Sequence, residues 1–316
     1  MQTFSFSDSF AARRPSFVFN TLLLITLMLL YPLAGALLFS MVTGGLEQGA
    51  ALLHPDRSTI PLLRLVQSVG QLFMLALPVI CLSAWHTGTR NPFSGDSFAF
   101  LGIQRGVDYG TVALAVGGIF LLQPLLYTMT ALQDLYLWPS LGDAGKEVIR
   151  QRDVMELFIK ELARVGSLSE FLQVAFVLAL TPAVCEEMLF RGYIQQNYSH
   201  SISSGGAVLL TGLVFAFFHL SAANLLPLAL LGWYIGHIYS KTGNLAVPVA
   251  VHLMNNLAAL LFLLFAEGSG SRMILRIDSL LDAPWWWLVV AVSLLLFVMV
   301  VRRFSALSIS GHAVFE

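Results

Sequence analysis

From Phe17 to Val301 the chain is a succession of apolar runs, each close to the length needed to cross a bilayer and joined by polar connectors. A hydrocarbon core about 30 Å thick takes about 20 helical residues to cross. The runs fall at Phe17 to Val42, Arg64 to Trp85, Tyr109 to Leu132, Phe171 to Gln195, Gly205 to Leu220, Ala222 to Ser240, Leu245 to Ala266 and Pro284 to Val301. The pattern predicts an all-α, polytopic membrane protein with eight transmembrane helices. The first run, about 26 residues long, exceeds the core of a signal peptide and continues past the cleavage-like Ala34-Gly35-Ala36, so it reads as a retained span. Composition agrees: 57% of the 316 residues are hydrophobic and 11% charged, against about 25% charged in soluble domains. The 17 basic and 18 acidic residues leave a formal charge of -1, which provides no basic stripe for nucleic acid. Cys81 and Cys185 sit inside apolar runs and form neither a disulfide framework nor a CxxC metal motif.

The basic residues near the span ends set the expected topology. Arg13, Arg14, Arg90, Arg105, Arg191, Lys241, Arg302 and Arg303 fall on the N-terminal side; Arg57, Arg64, Arg272 and Arg276 fall opposite, as do five basic residues in the long segment from Gln133 to Glu170, where seven acids accompany them. The positive-inside rule then puts both termini in the cytoplasm; the membrane expected is of the bacterial cytoplasmic type. Between the third and fourth spans, Val148, Val154, Met155, Leu157, Phe158, Leu162 and Val165 recur among charges. That pattern predicts an amphipathic helix on the membrane surface, either a connector or a substrate gate. Trp285 to Trp287 read as an interface belt. Three parts follow: residues 1–168 with three spans and the surface helix, 169–266 as a four-helix core, and 267–316 with the last span and tail.

Between Gly192 and Ala266 the one acidic or basic residue is Lys241, so Glu186, Glu187 and Arg191 stand out just before it. A charge at mid-membrane costs about 2.5–3.5 kcal/mol on insertion scales, which makes three together tolerable only when paired or facing protein or water. On a helix Glu187 and Arg191 share a face, while Glu186 is turned about 100° away. One carboxylate therefore pairs with Arg191 and the other is left in a low dielectric, suited to take a proton from water. Spacing alone leaves the choice open; Glu186 is favoured as the base. His219 ends Phe215-Ala216-Phe217-Phe218-His219, and His252 and Asn256, again four apart, project from one helix face. His237 reads as a helix-to-helix hydrogen bond, and Asn224 and Asn255 as packing or interfacial residues.

Glu186-Glu187-x-x-x-Arg191, Phe215-x-x-x-His219 and His252-x-x-x-Asn256, in this order over about Phe171 to Ala266, resemble the CPBP family of intramembrane proteases. That family, also called Abi, includes the type 2 CAAX prenyl endopeptidases and bacterial relatives linked to bacteriocin processing or self-immunity. The resemblance implies peptide-bond hydrolysis within the membrane, with Glu186 and His219 activating water and His252 and Asn256 holding the oxyanion. The expected partners are membrane lipid and a peptide or protein substrate at the membrane. A zinc version would use His219, His252 and one Glu as a His2Glu set with an open position for water; the metal stays open, with a metal-independent site preferred. A thiol mechanism through Cys185 has no activating histidine nearby in sequence. Two other classes compete: a transporter or proton relay, for which no inverted repeat is visible, and a catalytically silent immunity or scaffold protein.

Overall fold

The structure is a computed structural model that describes residues 15–43, 59–104, 106–268 and 280–306. Arg13, Arg14, Arg57, Arg105, Arg272 and Arg276, on which the expected topology partly rests, lie outside the described residues. In chain order the main helices are α1 (Phe17–Thr43), α2 (Ile60–Thr87), the short α3 (Gly95–Phe100), α4 (Tyr109–Ser140), α5 (Asp143–Ala163) and α6 (Leu168–Tyr198), followed by α7 (Ser204–Phe218), α8 (Leu225–Thr242), α9 (Ala246–Gly268) and α10 (Pro284–Ser305). Among the described residues there is no strand.

The chain is a polytopic all-α protein, but the expected eight spans are not all realised. Six helices, α1, α2, α4, α6, α9 and α10, are long and apolar enough to cross a membrane. The runs Gly205 to Leu220 and Ala222 to Ser240 become α7 and α8, and both fall short. With 15 residues, α7 is about 22 Å long at about 1.5 Å per residue, and the 18-residue α8 dilutes its apolar face with Trp233, Tyr234, His237, Tyr239 and Lys241. The two pack tightly as an antiparallel pair. Their backbones meet at Gly212 and Gly232: a Cβ on Gly232 would stand 3.0 Å from the Cα of Gly212, and one on Gly212 would stand 2.9 Å from the Trp233 nitrogen. Small residues at such a crossing let helices approach closely in lipid. Tyr234 then anchors α8 to α4 by donating to the Ala115 carbonyl at 2.7 Å.

Three of the long helices widen into a π turn immediately before a proline pair. Leu72–Ala76 precedes Leu77-Pro78, Gln133–Leu137 precedes Trp138-Pro139, and Phe176–Leu180 precedes Thr181-Pro182. Proline brings no N–H and its ring collides with the carbonyl four residues back, so opening the ladder by one residue lets the helix run on. The Phe176 carbonyl accepts both the Thr181 backbone N–H and, at 2.8 Å, the Thr181 hydroxyl. This is why the third span does not stop at Leu132 but continues to Ser140.

The expected amphipathic helix is α5, docked at its middle and at its C-terminal end. Asp134 of α4 accepts two hydrogen bonds from Arg152, at 2.6 and 2.7 Å. The buried Arg64 of α2 donates to the carbonyls of Leu162 and Arg164, at 3.0 and 2.5 Å. Phe158 and Leu162 pack against Phe39, Leu63 and Leu178. Arg64, expected at a span end facing water, is thus a strap holding α5 down.

A Gly212→Val variant should force α7 off α8 and cost about 1–3 kcal/mol, the usual range for overpacking. The check is the temperature at which the buried thiol of Cys185 becomes reactive to a maleimide dye in detergent, which should fall; an unchanged temperature would contradict the close crossing.

Candidate active site

Helix α6 carries the carboxylate pair, framed by the Pro182 π turn before it and by a second π stretch, Met188–Gln195, that contains Arg191. Glu187 and Arg191 are both fully buried. Arg191 donates from Nη1 to Glu187 Oε1 at 2.7 Å and from Nη2 to the Gly232 carbonyl at 2.9 Å. The same Glu187 oxygen accepts from His252 Nδ1 of α9 at 2.8 Å. The guanidinium also lies over the Phe215 ring, 4.7 Å from its centroid. One buried cluster therefore joins α6, α7, α8 and α9, and the charge of Glu187 is met from two sides. Arg191, expected among the basic residues at a cytoplasmic span end, is instead an interior residue.

Glu186 is arranged differently. It is 8% exposed, its Oε2 accepts no hydrogen bond, and that oxygen lies 3.9 Å from His219 Nε2. His219 stands at the C-terminal end of α7, where its Nδ1 donates to the Phe215 carbonyl at 2.8 Å. The next residue, Leu220, has φ of +49°, and among the described residues it is the one non-glycine residue in that left-handed region. Such backbone costs about 1–2 kcal/mol and clusters where a chain must turn a particular group. The turn is steadied from α4 by Gln133, which donates to the Ala223 carbonyl at 3.3 Å.

Glu186, His219, His252 and Asn256 line a single cavity of about 290 Å³. Asn256 Oδ1 accepts from Asn255 at 3.4 Å, and Asn255 Oδ1 accepts from Gln123 of α4 at 3.0 Å. This relay leaves the Asn256 amine as the group free to donate. Asn255 is thus more than the packing residue expected, and Gln123 carried no signal because it is a lone carboxamide on another span. Phe215 is a packing hub, with His219 and His252 set edge-on to its ring at 4.7 and 5.8 Å. Other walls come from Gln67 and Gln71 of α2 and from Ile159 of α5. His237 accepts or shares a hydrogen bond with Ser305 of α10 at 3.3 Å, the helix-to-helix contact expected. Cys185 is packed in the apolar core.

Zinc would need His219, His252 and a glutamate as a ligand set. Among the described residues no three His, Cys, Asp or Glu side chains are grouped to hold one ion. The residues present do not fit that metal site.

Residues 168–258 match the family model of the Rce1-like type II CAAX prenyl endopeptidases. That stretch, under a third of the chain, holds the pair Glu186 and Glu187 together with Arg191, His219, His252 and Asn256, and the likeness seen in the three motifs is found over them. No curated protein and no solved structure matches the chain.

Removing one member of the buried cluster should be far costlier than removing the pair. Arg191→Ala is expected to destabilise by about 3–5 kcal/mol by stranding Glu187, whereas Glu187→Gln with Arg191→Met should recover most of that loss. Thermal unfolding of the three purified forms checks it; equal stability of the single and double variants would contradict the pairing.

Proposed function

We propose that this chain is an intramembrane endopeptidase that hydrolyses a peptide bond of a membrane-associated, prenylated CAAX-type substrate with water activated by Glu186 and His219. The observation that carries this reading is the 3.9 Å gap between Glu186 Oε2 and His219 Nε2 inside the cavity that His252 and Asn256 also line. With Nδ1 donating to Phe215, neutral His219 presents a bare Nε2, so two acceptors face one another. One water about 2.8 Å from each would donate a hydrogen to both and turn its lone pairs toward the cavity. The match of residues 168–258 supports the substrate class.

In the proposed step the water oxygen attacks the carbonyl carbon while Glu186 Oε2 accepts its proton. The oxyanion that forms is held by the Asn256 amine and by His252. Since His252 Nδ1 donates to Glu187, donation from its Nε2 to the oxyanion uses the imidazolium form. Collapse of the tetrahedral intermediate breaks the C–N bond, and the proton held by Glu186 passes to the leaving nitrogen. Glu187 and Arg191 touch none of the reacting atoms in this reading; they fix His252 and the helix that bears Glu186. Residues 169–266 supply this machinery, and both termini lie on the cytoplasmic side in the same reading.

Cleavage of a farnesylated CAAX peptide in proteoliposomes tests the proposal. Glu186→Gln and His219→Ala should each lower kcat by about 10²–10⁴-fold, and Asn256→Ala by about 10²–10³-fold, with the folded protein retained in the membrane. Full activity in all of these variants would rule out hydrolysis at this site. Activity should also survive exhaustive chelation; stoichiometric zinc whose removal abolishes turnover would overturn the metal-free assignment.

A further inference from the structure

The α2 wall of the cavity carries polar groups that water activation does not use. Gln67 and Gln71, four residues apart and so on one face of α2, line the same cavity as Glu186, His219, His252 and Asn256. The Tyr31 hydroxyl of α1 sits beside both carboxamides and within electrostatic reach of Glu186. Gln71 is 3% exposed, and its Oε1 accepts no hydrogen bond. A buried acceptor left unpaired is costly, and a partner that arrives with the substrate removes that cost. None of the three residues lies within the stretch that matches the endopeptidase family model.

A peptide entering this space brings backbone N–H groups as well as carbonyls, and each needs a partner once it leaves water. Much of the remaining lining is apolar: Ile159, Val177, Leu178, Pro182, Leu260 and Leu263. The Asn256 amine is a donor and serves a carbonyl oxygen. Glu186 is occupied by the water it activates. The glutamine carboxamide oxygens are left as acceptors for the N–H groups of the chain.

On the hydrolytic reading above, we propose that Gln71 is a substrate-positioning residue: its Oε1 accepts a hydrogen bond from a backbone N–H flanking the scissile bond, while Tyr31 holds the carboxamide on its other side. A contact of this kind reads main chain rather than side chain. It selects an unfolded, extended segment of substrate and leaves the sequence around the cleavage point loosely specified, so the bond to be cut is set by how deep the anchored peptide reaches.

The test uses full-length protein in proteoliposomes, a fluorogenic farnesylated CAAX peptide, and a series of its analogues each N-methylated at one backbone nitrogen. Wild type should cut one analogue of the series with about 10-fold lower kcat/KM than the others, the loss of one neutral hydrogen bond. Gln71→Met should cut the parent peptide about 10-fold less efficiently, chiefly through KM, and should no longer discriminate that analogue, with an unchanged temperature of Cys185 labelling. If Gln71→Met discriminates the methylated series as wild type does, the assignment of Gln71 falls and hydrolysis stands. A wild-type series without any sensitive nitrogen overturns the assignment with no variant needed, even if Gln71→Met fails to fold. Wild type that cleaves none of these peptides overturns the hydrolytic reading and this inference together.

Discussion

A guanidinium with no water around it has to be answered by the protein, and most of the arrangement around the cavity follows from how Arg191 is answered. Glu187 supplies the opposite charge, the Gly232 carbonyl takes a second donor, and the Phe215 ring faces the cation. Each partner comes from a different helix. The Gly232 carbonyl is reachable because α7 and α8 cross at glycines, and Glu187 has an oxygen that His252 can also use. In a low dielectric such a cluster is rigid, because breaking any one contact strands a charge. Four helices are thereby fixed relative to one another beside the cavity.

The consequence is a division of labour between adjacent carboxylates. A helix turns about 100° per residue, so the residue before Glu187 cannot also reach Arg191, and Glu186 faces the cavity with His219 across from it. The cluster neutralises one carboxylate and aims the other. Above it, α5 contributes Ile159 to the lining and is tied down by carbonyls that Arg64 holds and by the Asp134–Arg152 pair. Helix α5 is therefore part of the cavity wall.

Much of this is readable from residue order. Apolar run lengths gave the helical membrane class, and the i to i+4 spacing of Glu187 with Arg191 foretold their pairing. The span count was less legible, because a run of apolar residues does not show where its helix stops: α7 ends after 15 residues, and α8 carries Trp233, Tyr234, His237, Tyr239 and Lys241 among its apolar residues. Arg191 looked like a topological marker for the same reason, since its charge is visible in the sequence and its Gly232 and Phe215 partners are not. The three π turns that precede a proline were hidden because Pro32 and Pro124 sit inside helices with no such turn before them, and the π stretch Met188–Gln195 has no proline to mark it. Gln67, Gln71 and Gln123 were silent because glutamines on separate spans acquire meaning only when those spans are brought together around one cavity.

The most direct measurement is an experimental density map of the wild-type protein in a lipid environment, detailed enough to show ordered solvent. It should show one water within hydrogen-bonding reach of both Glu186 Oε2 and His219 Nε2, with Glu187 held between Arg191 and His252. A map in which Arg191 pairs with Glu186, or in which His219 is turned toward lipid away from both carboxylates, would contradict the division of labour on which the proposed chemistry rests.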